Sequence, residues 1–160
     1  MSTRRMHCAS LRWLHGLTVG LALATTASVV AQPMNDARMF HAAVEWPSGE
    51  VLAVGGYHET HGTLANAEIY RPSTRQWVQA ADLALSRSSH SATVLPDGRV
   101  LVAGGVRNNA AMTSVERYDP SNDTWTTVAP MAVARYEHAA VALADGRVLV
   151  VGGTATGGST

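Results

Sequence analysis

The chain contains no lysine, a single cysteine and a single phenylalanine in 160 residues, and only 15% of it is charged. Without lysine, every basic side chain is one of twelve arginines, balanced by twelve acids to a formal charge of zero. No cationic stripe can displace counterions from a phosphate backbone, so nucleic-acid binding is excluded as a reading. The lone cysteine, Cys8, stands near the start and has no partner for an intrachain disulfide. What is present, 46% hydrophobic residues with 14 glycines, suits one small globular domain and not a disordered, collagen-like or disulfide-rich chain.

The arginines are unevenly placed. Arg4, Arg5 and Arg12 precede a mainly apolar run from Leu14 to Ala31 that closes on Val29, Val30 and Ala31, and no acid precedes Asp36. A basic start, an apolar stretch and a small-residue end are the layout of a secretory signal peptide over residues 1–31, with an uncleaved anchor as the alternative. The run is barely long enough to span a bilayer and contains His15, threonines and glycines, so cleavage is favoured. The mature chain is expected to be secreted or periplasmic, to begin at Gln32 and to hold no stable membrane span. Cys8 lies ahead of the apolar run, not at its end, and is not placed for lipid attachment. Cleavage removes three arginines and no acid. The remaining 129 residues carry nine arginines against twelve acids, a formal charge of −3, and no thiol for catalysis or metal binding.

Sliding the chain against itself exposes a period of 48 to 49 residues. Arg38-Met-Phe-His41, Arg87-Ser-Ser-His90 and Arg135-Tyr-Glu-His138 open segments that stay in register through a turn into an apolar run ending in Gly55-Gly56, Gly104-Gly105 or Gly152-Gly153. Each segment reads as a strand, a glycine turn (Gly49, Gly98, Gly146) and a second strand, apolar on both alternating faces and therefore buried on both sides. A variable loop follows, then a more polar strand through Tyr70 or Tyr118 and a fourth through Trp77 or Trp125. Four strands per period predict a four-stranded, all-β blade that must be covered on both faces.

The combination of Arg-x-x-His, a glycine hairpin, Gly-Gly, Val115-Glu-Arg-Tyr118-Asp-Pro120 and a following Trp resembles the kelch repeat, over residues 38 to 153. The resemblance implies a β-propeller with the Arg/His-bearing strand innermost: blade 1 over 38–79, blade 2 over 87–128 and part of blade 3 over 135–153. Blade 1 departs from the pattern at Trp46-Pro47-Ser48-Gly49 and at Arg71. The third equivalents of Tyr118 and Trp125 would fall at positions 166 and 173, beyond Thr160. Residues 32–160 are accordingly expected to be an incomplete propeller, the N-terminal part of a longer one, because closure takes four to eight blades.

Recurrence divides the candidate functional residues. Arg38, Arg87 and Arg135 would gather at one mouth of the axis, to bind carboxylate or sugar groups or to pair with a neighbouring blade's Glu68 or Glu116. His41, His90 and His138 sit inside apolar strands and read as buried hydrogen-bonding groups, not metal ligands. His58-Glu-Thr-His61 lies in a variable loop but lacks the helical spacing of a metalloprotease motif and two further ligands for structural zinc. Tyr57, Arg107, Asn108 and Asn109 differ between repeats and are the better candidates for specific contacts. No nucleophile elbow or phosphate-binding loop is present, so no catalytic residue, metal or cofactor is assigned.

The expected function is that of an exported kelch-type binding or scaffold module contacting protein or carbohydrate. The alternative rests on resemblance to galactose oxidase, whose exported kelch repeats build a copper site. An oxidase here would need copper ligands beyond residue 160, and no acid–base pair supports a kelch-type epimerase or lyase.

Overall fold

A computed structural model describes residues 33–155. The proposed signal peptide and the expected start at Gln32 lie outside them. Among the described residues there is no helix, and no helix long and apolar enough to cross a membrane.

Two complete four-stranded antiparallel blades form. In blade 1, β1 (Ala42–Glu45), β2 (Val51–Val54), β5 (Ala67–Arg71) and β6 (Gln76–Ala80) pair in the order β1-β2-β5-β6, while β3 (Tyr57–His58) and β4 (Gly62–Thr63) make a small hairpin beside it. Blade 2 repeats this with β7 (Ser91–Val94), β8 (Val100–Ala103), β11 (Val115–Asp119) and β12 (Thr124–Val128), and with β9 (Val106–Arg107) and β10 (Ala110–Ala111) as its hairpin. Of blade 3 the structure shows β14 (Ala139–Ala142) paired with β15 (Val148–Val151), and β13 (Arg135–Tyr136) paired with β16 (Thr154–Ala155). The strands β1, β7 and β14 lie side by side, which makes the strand after each Arg-x-x-His the innermost of its blade.

Register explains the coverage of the blades. Ala42 opposes Val54 and Val44 opposes Leu52, so these four share the face of blade 1 that looks toward blade 2. Ala92 opposes Val102 and Val94 opposes Val100, and this set faces back toward blade 1. The two sets close on one another in a core where Leu52, Val54, Val100 and Val102 are wholly buried. Each such side chain contributes about 1.5–3 kcal/mol. Trp46, a departure from the repeat, completes this core. Its ring lies 6.3 Å from that of Tyr118, and its indole nitrogen donates to the Gly98 carbonyl at 2.7 Å. Burial on both faces does not extend to blade 3, whose outward positions Val141, Leu149 and Val151 are about half exposed.

The glycine pairs join the blades. Gly55 and Gly104 adopt φ of +61° and +62°, and a Cβ on them would come within 2.7 and 2.5 Å of the Arg87 and Arg135 carbonyls of the next repeat. The glycine that follows donates to the same carbonyl, Gly56 to Arg87 at 2.8 Å and Gly105 to Arg135 at 2.9 Å. Only glycine admits that approach with that backbone.

Candidate functional site

Each repeat opens on Arg-x-x-His, and the first arginines are consumed by the blade itself. Arg87 donates from Nη2 to Glu116 at 2.7 Å and from Nη1 to the carbonyls of Gly104 and Ser114. The Glu116 carboxylate also accepts from the backbone N–H groups of Ala84 and Leu85. Arg38 repeats the arrangement with Glu68 at 2.6 Å, and Asn35 and Asp36 supply the backbone donors. The side chains of Arg38, Arg87 and Glu68 are fully buried and that of Glu116 is 1% exposed. Burial pulls the Arg87 pKa down, and the Glu116 charge and hydrogen bond oppose it.

These contacts correct two expectations. Arg38 and Arg87 have no face left for a ligand, and their carboxylates come from their own blades, not from neighbours. The reason is spatial: the second residue of β5 or β11 returns beneath the Arg-x-x-His segment that opens the same repeat. Arg135 is half-buried and donates to the Gly152 carbonyl at 2.7 Å, with no carboxylate partner among the described residues.

The histidines are internal. His138 shares a hydrogen bond with Ser91 Oγ at 2.9 Å. Neither nitrogen of His90 finds a partner at hydrogen-bonding geometry. Burial lowers its pKa to about 3, with the Arg87 charge the next cause and the Val54 backbone opposing both. Burial, then a neighbouring arginine, also lowers His41 and His138. The Ser91–His138 contact makes no nucleophile: both residues are buried, and His138 Nδ1 has no orienting partner.

The middle pair of Arg-x-x-His behaves differently, a feature missed when those positions are treated as spacing. Phe40, Ser89 and Glu137 all take a left-handed backbone, φ +54°, +52° and +55°. The Ser89 N–H donates to the Phe40 carbonyl and the Glu137 N–H to the Ser89 carbonyl, both at 2.9 Å. This ladder across three blades holds an aromatic ring, a hydroxyl and a carboxylate in a row. Phe40 is 62% exposed and Met39 48%. Tyr57 joins them because its backbone and that of Met39 exchange two hydrogen bonds. Together they edge a groove of about 340 Å³ that continues past Val106 to Tyr136 and Glu137. The signal was available in the sequence, since Met39-Phe40, Ser88-Ser89 and Tyr136-Glu137 vary between invariant Arg and His.

Of the loop candidates, Tyr57 lies in this groove, whereas Arg107, Asn108 and Asn109 are exposed on the β9–β10 hairpin. The asparagines have a structural reason for their identity, with φ of +49° and +60° in a two-residue turn that favours Asn or Gly. His58 and His61 stack with centroids 4.4 Å apart. His58 Nδ1 accepts from the Thr60 and His61 backbone N–H groups, so that nitrogen is engaged within its own loop. Among the described residues no three His, Cys, Asp or Glu side chains converge.

A sequence profile of the kelch motif matches residues 38–84 and 87–132, more than half of the chain. The chain is a kelch-repeat protein. It is 38% identical over 65 residues to tRNA wybutosine-synthesizing protein 4 of Saccharomyces cerevisiae, covering 41% of this chain and 9% of that protein. Human Kelch-like protein 15 is 35% identical over 83 residues, 48% of this chain and 13% of its own, and human Kelch-like protein 33 is 30% identical over 107, 64% and 20%. The kelch chain therefore spans at most a fifth of the length of these relatives. A fungal alcohol oxidase of the AA5 family, solved in complex with copper, superposes with a TM-score of 0.62 at 23% identity, over 71% of this chain and 27% of the oxidase. That likeness shows the propeller fold alone.

Proposed function

We propose that the kelch chain is an exported binding module that recognises a protein through the rim carrying Met39, Phe40, Ser89 and Glu137, with Tyr57 beside it. The observation that supports this reading is the exposure of Phe40 and Met39 on a backbone locked by the ladder between blades, which presents apolar area with little ordering cost on binding. Large exposed apolar side chains beside a charged one suit a protein partner with an apolar anchor and a basic neighbour for Glu137. Ser88, Ser89 and Glu137 also line the groove beside Tyr57 and Tyr136, but Phe40 and Met39, 62% and 48% exposed, give its edge an apolar character that favours a protein over a carbohydrate. The basic start and apolar run before Ala31 support export.

Two experiments test the reading. Affinity capture from the native secreted fraction should retain a protein with the wild-type chain and lose it with Phe40→Asp, while Val78→Asp on the outer strand retains it. Equal capture by all three contradicts the assignment of the rim. N-terminal sequencing of exported material should begin at Gln32, and intact residues 1–31 would contradict export.

A further inference from the structure

Trp46, Ser48, Glu50 and Arg71 stand where blade 2 has Leu95, Asp97, Arg99 and Asp119, and all four line one cleft. It lies between blades 1 and 2 beyond the end of β1, at the opposite end of that strand from the Arg-x-x-His segment and the rim. The cleft measures about 450 Å³ and is completed by Pro47 and Ile69 of blade 1 and by Gly98 and Pro120 of blade 2. A recess of about 140 Å³ shares Ile69, Arg71 and Pro120 with it and reaches Tyr118 and Asp123.

The arginine of this cleft is held differently from those of the other turns. Asp97 accepts from Arg99 Nε at 2.8 Å and from its Nη2, and Asp145 accepts from Arg147 Nε at 2.8 Å. Blade 1 has Ser48 and Glu50 at those two positions and carries its arginine on β5 instead, where the pairing of Val51 with Tyr70 sets Arg71 opposite Glu50. An exchanged cross-strand pair explains why opposite charges face each other, but not why they meet so loosely. Arg71 Nε stands 3.7 Å from Glu50 Oε1, beyond hydrogen-bonding distance, and Glu50 Oε2 accepts from the Ser48 hydroxyl at 3.3 Å. A half-exposed pair at that distance constrains the guanidinium weakly, and its two terminal nitrogens make no hydrogen bond among the described residues.

We propose that this cleft binds a small monocarboxylate with an apolar ring, the carboxylate on the terminal nitrogens of Arg71 and the ring against Pro47 and Pro120. A guanidinium fork matches a carboxylate with two parallel hydrogen bonds. The Trp46 indole N–H and the Ser48 hydroxyl are committed to Gly98 and Glu50, so Arg71 is the side-chain donor left to orient a ligand in the larger part of the cleft. The neighbouring charges set the valence. Glu50 flanks the arginine, and Asp123 lies in the recess, its carboxylate accepting from the Tyr118 hydroxyl and the Ala81 N–H. One cation among these acids suits a single negative charge and repels a phosphate dianion. The apolar walls reward a ring, and the volume lies in the range of small-molecule sites.

The full chain titrated with phenylacetate tests this, read by the NMR shift of the Trp46 indole N–H, whose acceptor Gly98 lines the cleft. Binding should saturate with a Kd of about 1 mM or tighter. Arg71→Gln should weaken it at least about tenfold, and phenylacetamide, of the same shape without the charge, should bind wild type equally poorly. Glu50→Gln removes the competing carboxylate and should tighten binding about threefold, a gain that a misfolded variant would not show. Arg147→Gln, an exposed arginine of blade 3, should leave the titration unchanged, and inorganic phosphate should not displace the probe. The Trp77 and Trp125 indole resonances report that each variant is folded. The proposal is overturned if no saturable shift appears up to about 10 mM phenylacetate, if Arg71→Gln or the amide binds as wild type binds the acid, or if phosphate competes equally.

Discussion

Replacing Ala42 by serine should stabilise the protein, a result opposite to the usual cost of placing a hydroxyl in a strand against the core. His138 satisfies its Nε2 with Ser91 of the preceding blade at 2.9 Å. His90 occupies the same place one repeat earlier, over Gly55 as His138 is over Gly104. The residue that should meet it is Ala42, which has no hydroxyl, and both ring nitrogens of His90 are left without a partner. An enclosed orphan costs about 1–3 kcal/mol, and a net hydrogen bond returns about 0.5–1.5 kcal/mol. Ala42→Ser should therefore gain about 1 kcal/mol, a rise of roughly 3–6 °C in Tm for a domain of this size. The mirror change Ser91→Ala strands His138 and should lose about 1–3 kcal/mol. Thermal and urea unfolding of both variants measure the effect. An unchanged or lowered Tm for Ala42→Ser would refute the equivalence of the two histidine sites.

Acid should weaken the fold before the carboxylates titrate. With His90 near 3 in the folded chain and 6.5 when unfolded, the unfolded state alone takes up the proton between those values. Stability should then fall as pH drops below about 6.5, by up to about 1.4 kcal/mol per unit, and stay flat above 7. Urea midpoints from pH 4 to 8 read this slope, and His90→Gln should reduce it, the lowered His41 and His138 supplying what remains. Arg87→Met should cost about 3–5 kcal/mol by leaving Glu116 buried and unpaired, whereas Arg87→Met with Glu116→Leu should recover most of the loss, as a double-mutant cycle by chemical unfolding would show. Gly104→Val should abolish soluble expression because its Cβ would stand 2.5 Å from the Arg135 carbonyl. Asn108→Ala and Asn109→Ala should each cost only about 1 kcal/mol of turn strain, measured as a small shift in Tm.

The repeat made the fold legible. Period, alternation and the glycine pairs located every long strand, because each blade is built from short-range hairpins whose turns and apolar residues are written locally. Pairings that depend on the third dimension were less accessible. Glu68 and Glu116 recur visibly, but whether each meets its own or a neighbouring arginine depends on how β5 and β11 return beneath the Arg-x-x-His segment. Trp46 resembled a blemish in the pattern until its indole was found spanning two blades. The rim residues vary visibly between Arg and His, but the backbone that presents them was hidden. Left-handed φ at Phe40, Ser89 and Glu137 is imposed by hydrogen bonds between blades, and none of these residue types announces that backbone as glycine does.

Site-specific photo-crosslinking tests most directly whether the rim is the working surface of this kelch chain. A photoreactive phenylalanine analogue at Phe40, in the protein produced by its own host, should yield a discrete crosslinked partner. The same analogue at Val78, exposed on the outer strand of the same blade, should not. A partner captured from Val78 and absent from Phe40 would contradict the account.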